Sequence, residues 1–179
     1  LLCAGGRDVA PYKGKYHGIE SCSAAAAVTG GGKACPWGCL GYADCAVSCD
    51  FGAISMSPTG LPVVDVDKCT ACNDCVEACP LGLFELFPLD HHLVVQCKNL
   101  LQGDPAEAVC SVACNACGRC VADAEAGLIA MVNGLAVIDY NQIELENPKA
   151  IDRCPTGAIV WVEGQQFPEL FVSAESEAA

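Results

Sequence analysis

The chain has 179 residues, 16 of them cysteine, and carries 22 acidic against 9 basic side chains, for a formal net charge of −13. So many cysteines beside only 6 % aromatic residues indicate a fold held together by metal or disulfides rather than by a large apolar core. The acidic charge disfavours nucleic acid and anionic lipid surfaces as partners. No apolar run reaches the roughly 18 residues of a membrane span. The first residues do not form a signal peptide, so we expect the chain to start inside a longer protein.

Residues 1–34 form the first predicted unit, a lead-in segment that contributes Cys3 and Cys22 outside any local ligand pattern. Four of the nine basic residues lie in this segment, namely Arg7, Lys13, Lys15 and Lys33. Their charge suits a docking arm for an acidic partner. It is equally compatible with a solvated segment that packs over the rest of the fold.

Residues 35–96 form predicted module one, whose strongest motif is a four-cysteine run followed by proline. This run, C-x2-C-x2-C-x3-C-P, is the one with which bacterial ferredoxins hold [4Fe-4S] clusters, and its fourth cysteine ligates the other cluster of a pair. A looser run, C-x3-C-x5-C-x3-C, precedes it. Crossed ligation predicts two ligand sets, Cys35, Cys39 and Cys45 with Cys79, and Cys69, Cys72 and Cys75 with Cys49. Structural zinc held by four thiolates is the alternative interpretation of these eight cysteines.

Residues 97–162 form predicted module two, which repeats module one. Three tails resemble one another, Cys49-Asp-Phe-Gly-Ala-Ile, Cys79-Pro-Leu-Gly-Leu-Phe and Cys154-Pro-Thr-Gly-Ala-Ile, and a fourth, Ala124-Glu-Ala-Gly-Leu-Ile, lacks the cysteine. The regular run of this module predicts a third ligand set, Cys114, Cys117 and Cys120 with Cys154. The module's other set is missing, since Ala124 replaces the donor and Ile143, Glu146 and Lys149 stand near where its trio would fall. We therefore expect one regular cluster in module two.

Four cysteines remain, and they form a tentative fourth set of Cys3, Cys22, Cys97 and Cys110. Their alternative role is that of small buried thiols that pack without redox function. Cys110 also forms C-x3-C-x2-C with the next two cysteines, the spacing of radical-SAM enzymes. The chain is short for the barrel of those enzymes, and the same trio continues into a ferredoxin motif. The sequence thus predicts three to four [4Fe-4S] clusters.

The predicted fold class is α+β, with tandem two-cluster ferredoxin modules built from short hairpins and short helices. Hairpins are expected at residues 53–65 and 128–139, the second with a two-residue turn at Asn133-Gly134. Short helices are expected after the three-cysteine loops, at residues 76–78 and 121–126. Residues 163–179 form a predicted C-terminal tail.

Several of these segments together resemble the B subunit of Rnf complexes, which are membrane-bound ferredoxin:NAD oxidoreductases coupled to ion pumping. The likeness spans most of the chain and is carried by Cys3-Ala-Gly-Gly, Gly18-Ile-Glu-Ser-Cys22, Cys39-Leu-Gly-Tyr-Ala-Asp-Cys45, Cys49-Asp-Phe-Gly-Ala-Ile, Cys69-Thr-Ala-Cys72, Leu135-Ala-Val-Ile-Asp and Cys154-Pro-Thr-Gly-Ala-Ile. The resemblance implies reduced ferredoxin as electron donor and a flavin-bearing membrane subunit as eventual acceptor. It also implies a membrane anchor and another cluster-binding segment ahead of Leu1. Relatives of this long form hold two full modules, so the missing set departs from their pattern.

The sequence therefore predicts an iron–sulfur subunit that relays low-potential electrons from reduced ferredoxin to a partner subunit of a membrane redox complex. We expect no catalytic residue in the chain itself. Two alternatives remain, a polyferredoxin subunit of a soluble hydrogenase or oxoacid oxidoreductase, and a structural zinc protein. Because exposed clusters require a reducing compartment, the predicted location is the cytoplasmic face of the membrane, reached through partner subunits or a missing anchor.

Overall fold

The computed structural model describes residues 1–170 and has the small α+β architecture that the sequence predicts. No helix in this range is longer than six residues, because cysteine loops and proline or glycine turns interrupt the chain at short intervals. The regular elements are α1 (Cys22–Ala27), α2 (Asp44–Val47), β1 (Ile54–Met56), β2 (Pro62–Val64), α3 (Asp74–Ala78), β3 (Leu93–Val95), α4 (Asp104–Val109), α5 (Arg119–Asp123), β4 (Ile129–Val132), β5 (Leu135–Ile138) and β6 (Ile159–Trp161). Turns of 3-10 helix lie at Thr29–Gly32, Tyr140–Leu145, Pro148–Ile151 and Pro168–Leu170.

Both predicted hairpins are confirmed. Strands β1 and β2 are antiparallel, with Ile54 opposite Val64, and β4 pairs with β5 in the same way. The second hairpin closes over Asn133 and Gly134, whose φ angles are 50° and 80°. Positive φ at both central residues is what a tight two-residue hairpin turn requires, and the Asn-Gly pair tolerates it.

A third two-stranded sheet joins parts of the chain that are far apart in sequence. Strand β3 pairs antiparallel with β6, so that Val95 lies opposite Ile159. Leu93, the first residue of β3, is fully buried in the larger of two cores. Leu128 and Ala150 are buried in the same core. The β3–β6 pairing therefore attaches the segment after module one's last cysteine to the end of module two.

The smaller core lies beneath the first hairpin. It contains Leu1, Leu61, Leu83 and Phe84, all of them buried. Residues of the predicted tail reach this core as well, because the 3-10 turn at Pro168–Leu170 places Leu170 against it. The remaining tail residues, 171–179, lie outside the described part of the chain.

The two short helices after the three-cysteine loops differ from their predicted bounds. Helix α3 begins at Asp74 and α5 at Arg119, two residues earlier than expected, each directly after a residue in the left-handed conformation. Helix α5 ends at Asp123 rather than at residue 126, because Ala124 has extended backbone angles. The prediction was wrong at these ends because loop geometry, rather than helix propensity, sets them.

The region of the missing ligand set is filled by apolar packing. Two 3-10 turns cover it, and Ala150 is completely buried between α5 and the core. Ala124, Tyr140 and Leu145 pack against the same core. The region where the sequence predicts a missing ligand set is therefore packed with apolar side chains.

None of the helices in residues 1–170 combines the length and the apolar character needed to cross a bilayer.

Candidate metal centres

The two regular three-cysteine loops have the same backbone conformation. In the first loop Ala71 and Asn73 have φ angles of 56° and 79°, and in the second Ala116 and Gly118 have φ angles of 62° and 70°. Each pair flanks the middle cysteine of its loop. Alternating right-handed and left-handed residues turn successive backbone N–H groups toward one side and create a concave site for an anion. Both loops are therefore shaped to surround a negatively charged group.

The altered run in module one forms a loop of the same shape without its middle cysteine. Gly41 and Ala43 have φ angles of 74° and 66°, at the positions that correspond to Ala71 and Asn73. The residue between them is Tyr42, which stands 30 positions before Cys72. This loop therefore lacks one sulfur, and a cysteine from elsewhere must supply it if the site is to hold four.

Cys22 lines the same cavity as the cysteines of this loop. Ser21 caps helix α1, its hydroxyl accepting from the Ala24 N–H at 3.1 Å, and the Asp44 carboxylate accepts from the Cys22 N–H at 2.9 Å. These bonds hold the start of α1 against the start of α2. Burial raises the pKa of the Cys22 thiol, and backbone N–H groups, including that of Tyr42, oppose the rise by donating to the sulfur.

The sixteen cysteines line four separate cavities, with four cysteines in each. The outer site of module one consists of Cys49, Cys69, Cys72 and Cys75, the inner site of module one of Cys22, Cys39, Cys45 and Cys79, the central site of Cys3, Cys35, Cys97 and Cys110, and the module-two site of Cys114, Cys117, Cys120 and Cys154. The outer site and the module-two site bring together the same four residues that crossed ligation predicts. The other two predicted groups exchange one member.

The exchange concerns Cys35 and Cys22. Cys35 was expected with Cys39 and Cys45, but it lines the central site, because a turn closed by the Gly38 N–H and the Cys35 carbonyl at 3.2 Å separates it from Cys39. The spacing of 30 residues between equivalent positions in the sequence already indicates that Cys35 does not belong with Cys39 and Cys45. It aligns the run that begins at Cys39 with the run that begins at Cys69 and leaves Cys35 without a counterpart.

The radical-SAM spacing does not correspond to one site in the structure. Cys110 lines the central site, whereas Cys114 and Cys117 line the module-two site. The three sulfurs of that motif therefore do not surround a common cavity.

Each half-module tail folds its backbone back onto its own cysteine. The Ala53 N–H donates to the Cys49 sulfur at 3.4 Å and the Leu83 N–H to the Cys79 sulfur at 3.3 Å. In the third tail burial acts against the Cys154 thiolate, but backbone N–H groups of residues 156, 158 and 159 together lower the pKa of that thiol. Hydrogen bonds to a thiolate stabilise its charged form, which is the form that binds metal.

Most of the other buried cysteines resist ionisation in the absence of a positive charge. Burial raises the pKa of Cys39, Cys45 and Cys97 to about 12, and that of Cys120 to about 11. A metal ligand has to be deprotonated, so a group bound at these sites must bring enough positive charge to offset the burial of the thiolates. Iron ions in a cluster provide such a charge.

The number of cysteine donors at each site fits a [4Fe-4S] cluster. Among the residues that the structure describes, no three His, Cys, Asp or Glu side chains are placed to share one metal ion. Four cysteines line the cavity of each site, which is the number of thiolates that hold a [4Fe-4S] cluster. A tetrahedral zinc site needs all four sulfurs about 2.3 Å from one point.

The sites differ in their access to solvent. Cys69 and Cys72 of the outer site are exposed, and so is Cys117 of the module-two site. The central site has no exposed member, since its four cysteines are at most 9 % accessible. The outer and module-two sites therefore lie near the surface, while the central site lies within the protein.

Comparison with known proteins places an iron–sulfur domain on module one. Residues 61–85 match the family model described as a 4Fe-4S binding domain, a segment that contains the regular run from Cys69 to Cys79.

Three relatives cover most of the chain, and each is the B subunit of an ion-translocating complex. The chain is 39 % identical over 159 residues to that of the Na(+)-translocating ferredoxin:NAD(+) oxidoreductase complex of Acetobacterium woodii, covering 89 % of this chain and 47 % of that protein. It is 39 % identical over 160 residues to that of the proton-translocating ferredoxin:NAD(+) oxidoreductase complex of Clostridium ljungdahlii, covering 89 % and 56 %. It is 37 % identical over 142 residues to that of the ion-translocating oxidoreductase complex of Methanosarcina acetivorans, covering 79 % and 54 %.

The chain thus spans about half the length of these relatives. Over that part, the matches confirm the resemblance that the cysteine motifs predicted, and the chain is an iron–sulfur protein similar to the B subunits of ion-translocating ferredoxin:NAD oxidoreductase complexes.

Proposed function

We propose that the chain is an electron relay that carries [4Fe-4S] clusters in the outer site, the inner site and the module-two site. The observation that carries this proposal is the grouping of cysteines in fours around cavities, with exposed cysteines at two of the sites. When bound, such clusters accept and release one electron at a time. The chain's own residues supply the thiolates, the N–H donors to sulfur and the small apolar walls that control each reduction potential.

The proposed electron donor is reduced ferredoxin, and the proposed acceptor is another subunit of a membrane redox complex. Arg7, Lys13 and Lys15 are exposed and lie close together in the sequence of an acidic chain. The backbone N–H of Lys13 donates to the Gly32 carbonyl at 2.7 Å, which ties this segment to the turn just before Lys33. A basic patch beside a redox centre accelerates encounter with an acidic carrier protein.

We propose further that the protein acts on the cytoplasmic side of the membrane, held there by partner subunits or by a preceding anchor. Exposed iron–sulfur sites of this kind persist in a reducing compartment.

The first test is the metal content of anaerobically purified protein. Three clusters predict about twelve iron and twelve acid-labile sulfide per chain, and visible absorption that dithionite bleaches reversibly. Zinc without sulfide would contradict the electron-relay proposal.

Ferredoxin as donor is tested by reversing charge at Lys13 and Lys15. The double variant K13E/K15E is expected to slow reduction by ferredoxin at low salt at least tenfold, because electrostatic steering sets the rate of such encounters. The control is K149E, at an exposed residue of predicted module two, compared with the single variants K13E and K15E so that each protein carries the same change in net charge. Equal rates for these variants and the wild type would remove the basic segment as the docking site.

A further inference from the structure

We propose that one face of the β4–β5 hairpin is the surface at which an electron acceptor docks, and that this acceptor presents an apolar patch with a basic rim. The proposal rests on the relay function proposed above and assigns the place where electrons leave module two. In the transfer, the module-two cluster loses one electron and the acceptor gains it, so no further reactant takes part.

The two faces of the β4–β5 hairpin lie in different environments. Successive side chains of a strand point to opposite faces, and the register places Ala130 opposite Val137 and Ile129 opposite Ile138. Ile129 and Ile138 are buried in the larger core. On the other face, Val132 and Val137 are 47 % and 43 % exposed, and Ala130 is exposed as well. The outer face of the hairpin, which we define by Ala130, Val132 and Val137, is therefore apolar and open to solvent.

The equivalent face of the first hairpin is covered by the chain itself. Val63 and Val137 are equivalent, because each stands one residue before the strand partner of its hairpin's first isoleucine. Val63 is only 1 % exposed. The lead-in segment reaches the turn of this first hairpin, where the Arg7 N–H donates to the Thr59 carbonyl at 2.8 Å. The repeated fold thus uses this face for contact with polypeptide in module one, whereas residues 1–170 leave it uncovered in module two.

The outer face lies over the module-two site. Met131 and Ala136 pair with each other on the inner face of the same hairpin, and both line the cavity of that site together with its cysteines. A protein docked on the outer face is therefore separated from the cavity by the thickness of one hairpin. Module two contains a single predicted ligand set, so a partner that exchanges electrons with this module has to approach this site.

The charged side chains at both ends of the hairpin are acidic. At the open end, Glu125 is exposed in the turn that leads into β4, and Asp139 follows β5 directly. A hydrogen bond from the Gln142 side chain lowers the pKa of Asp139, so its carboxylate is charged at neutral pH. At the tip, Gln102 lies against the turn, and the exposed Asp104 follows it in the chain. Such a rim attracts a partner with a basic rim and repels an acidic one.

The size of the outer face fits a transient partner rather than a second copy of this chain. A stable dimer buries roughly 800 Å² on each subunit, which a few small side chains do not supply. Weak redox encounters use smaller interfaces. Two acidic rims would also repel each other. The exposed lysines of the lead-in segment have the opposite charge preference, so the donor and the acceptor are expected at different surfaces.

The proposal is tested with oxidised cytochrome c as the acceptor, because it is a basic protein with an exposed haem edge. The full chain is reduced anaerobically, freed of excess reductant and mixed with cytochrome c at low salt, and haem reduction is followed by absorbance. The variant Val137→Lys is expected to slow this reaction about fivefold, since the lysine removes an apolar contact and repels the basic rim. The difference is expected to shrink at high salt.

Val28→Lys is the matched control, because Val28 lies in the lead-in segment and is 55 % exposed, so this variant carries the same added charge. Equal rates for Val137→Lys and Val28→Lys would overturn the docking surface while leaving the relay proposal intact. Wild-type protein without acid-labile sulfide would contradict the relay itself. If Val137→Lys loses iron, Val137→Thr decides, since it adds no charge and is expected to slow the reaction about twofold through lost apolar contact. An undiminished rate in that variant would overturn the proposal.

The position of the surface over module two is tested in a Cys117→Ala background, which removes one cysteine of the module-two site. Any remaining reduction of cytochrome c then comes from the other sites. Adding Val137→Lys is expected to change this remaining rate no more than adding Val28→Lys does. A full fivefold effect of Val137→Lys in this background would overturn the assignment of the outer face to the module-two site.

Discussion

Replacing Lys33 with methionine is expected to lower the reduction potential of the cluster proposed for the inner site. Reduction adds negative charge to a site, and the buried ammonium group of Lys33 stabilises that charge. Its charge reaches the inner site. Burial raises the pKa of the Cys39 thiol, and the nearby Lys33 ammonium group opposes that rise by favouring the thiolate. Methionine keeps most of the side-chain volume and removes the charge.

The expected size of the effect follows from Coulomb's law. The Lys33 Nζ lies 2.6 Å from the carbonyl oxygen of Cys39, a residue of the inner site. At a separation of roughly 8 Å and an effective dielectric constant of about 20, one unit charge contributes about 2 kcal/mol. At about 2.3 kcal/mol per 100 mV, this corresponds to a potential roughly 90 mV lower for a one-electron couple. Lys13 is exposed, so solvent and salt screen its charge and its removal should shift the potentials by much less.

The assay is an anaerobic redox titration followed by electron paramagnetic resonance, carried out on Lys33→Met, Lys13→Met and the wild type. Both variants remove one positive charge, so a general effect of net charge appears equally in the two. A selective fall in the potential of the inner-site cluster is expected in Lys33→Met. Potentials that match those of Lys13→Met, or that rise, would refute the role of the buried cation.

Three further predictions concern the scaffold, each measured as the temperature at which the anaerobic protein loses its visible absorption. Leu93→Ala, which empties a fully buried position, should destabilise by about 3 kcal/mol and lower the midpoint by roughly 6–12 °C. Leu100→Ala, at a position 46 % exposed, is its control, and an equal fall would argue against the β3–β6 core. Ala116→Gly should raise the midpoint, because Ala116 has a φ of 62° and a β-carbon costs about 1 kcal/mol in that conformation. A lower midpoint would contradict the prediction that the backbone is strained at Ala116. Asp123→Asn breaks an exposed ion pair with Arg153 and should change the midpoint by no more than about 2 °C, so a large fall would show that the pair is structural.

Short stretches of sequence specify the two hairpins and the cysteine groups of the outer and module-two sites. These features were therefore predictable from the sequence. A C-x2-C-x2-C loop places its three sulfurs within seven residues, and Asn133-Gly134 closes its hairpin in two. The fourth member of each group follows from the repeated spacing of the half-modules. The α+β class and the iron–sulfur character followed from the same motifs.

The exchange of Cys22 and Cys35 was only partly within reach of the sequence. The offset of 30 residues aligns Tyr42 with Cys72 and so reveals a missing sulfur in the inner site. It does not say which cysteine replaces that sulfur. That choice depends on the hydrogen bonds of Asp44 to the start of α1, a contact between side chain and backbone 22 residues apart.

The sequence by itself determined the type of chemistry, since closely spaced cysteines in fours commit the chain to thiolate ligation of iron. The tertiary structure decided how the cysteines are grouped, including the four that line the central cavity. Its cysteines lie at positions 3, 35, 97 and 110, and no local spacing relates them. Only the packing of the first residues against the Cys97 segment, fixed by the Ala4 N–H bond to the Gln96 carbonyl at 3.1 Å and by the β3–β6 pairing, brings these thiols together. Ligand sets closed by long-range packing are therefore properties of the folded chain, because short-range spacing does not encode them.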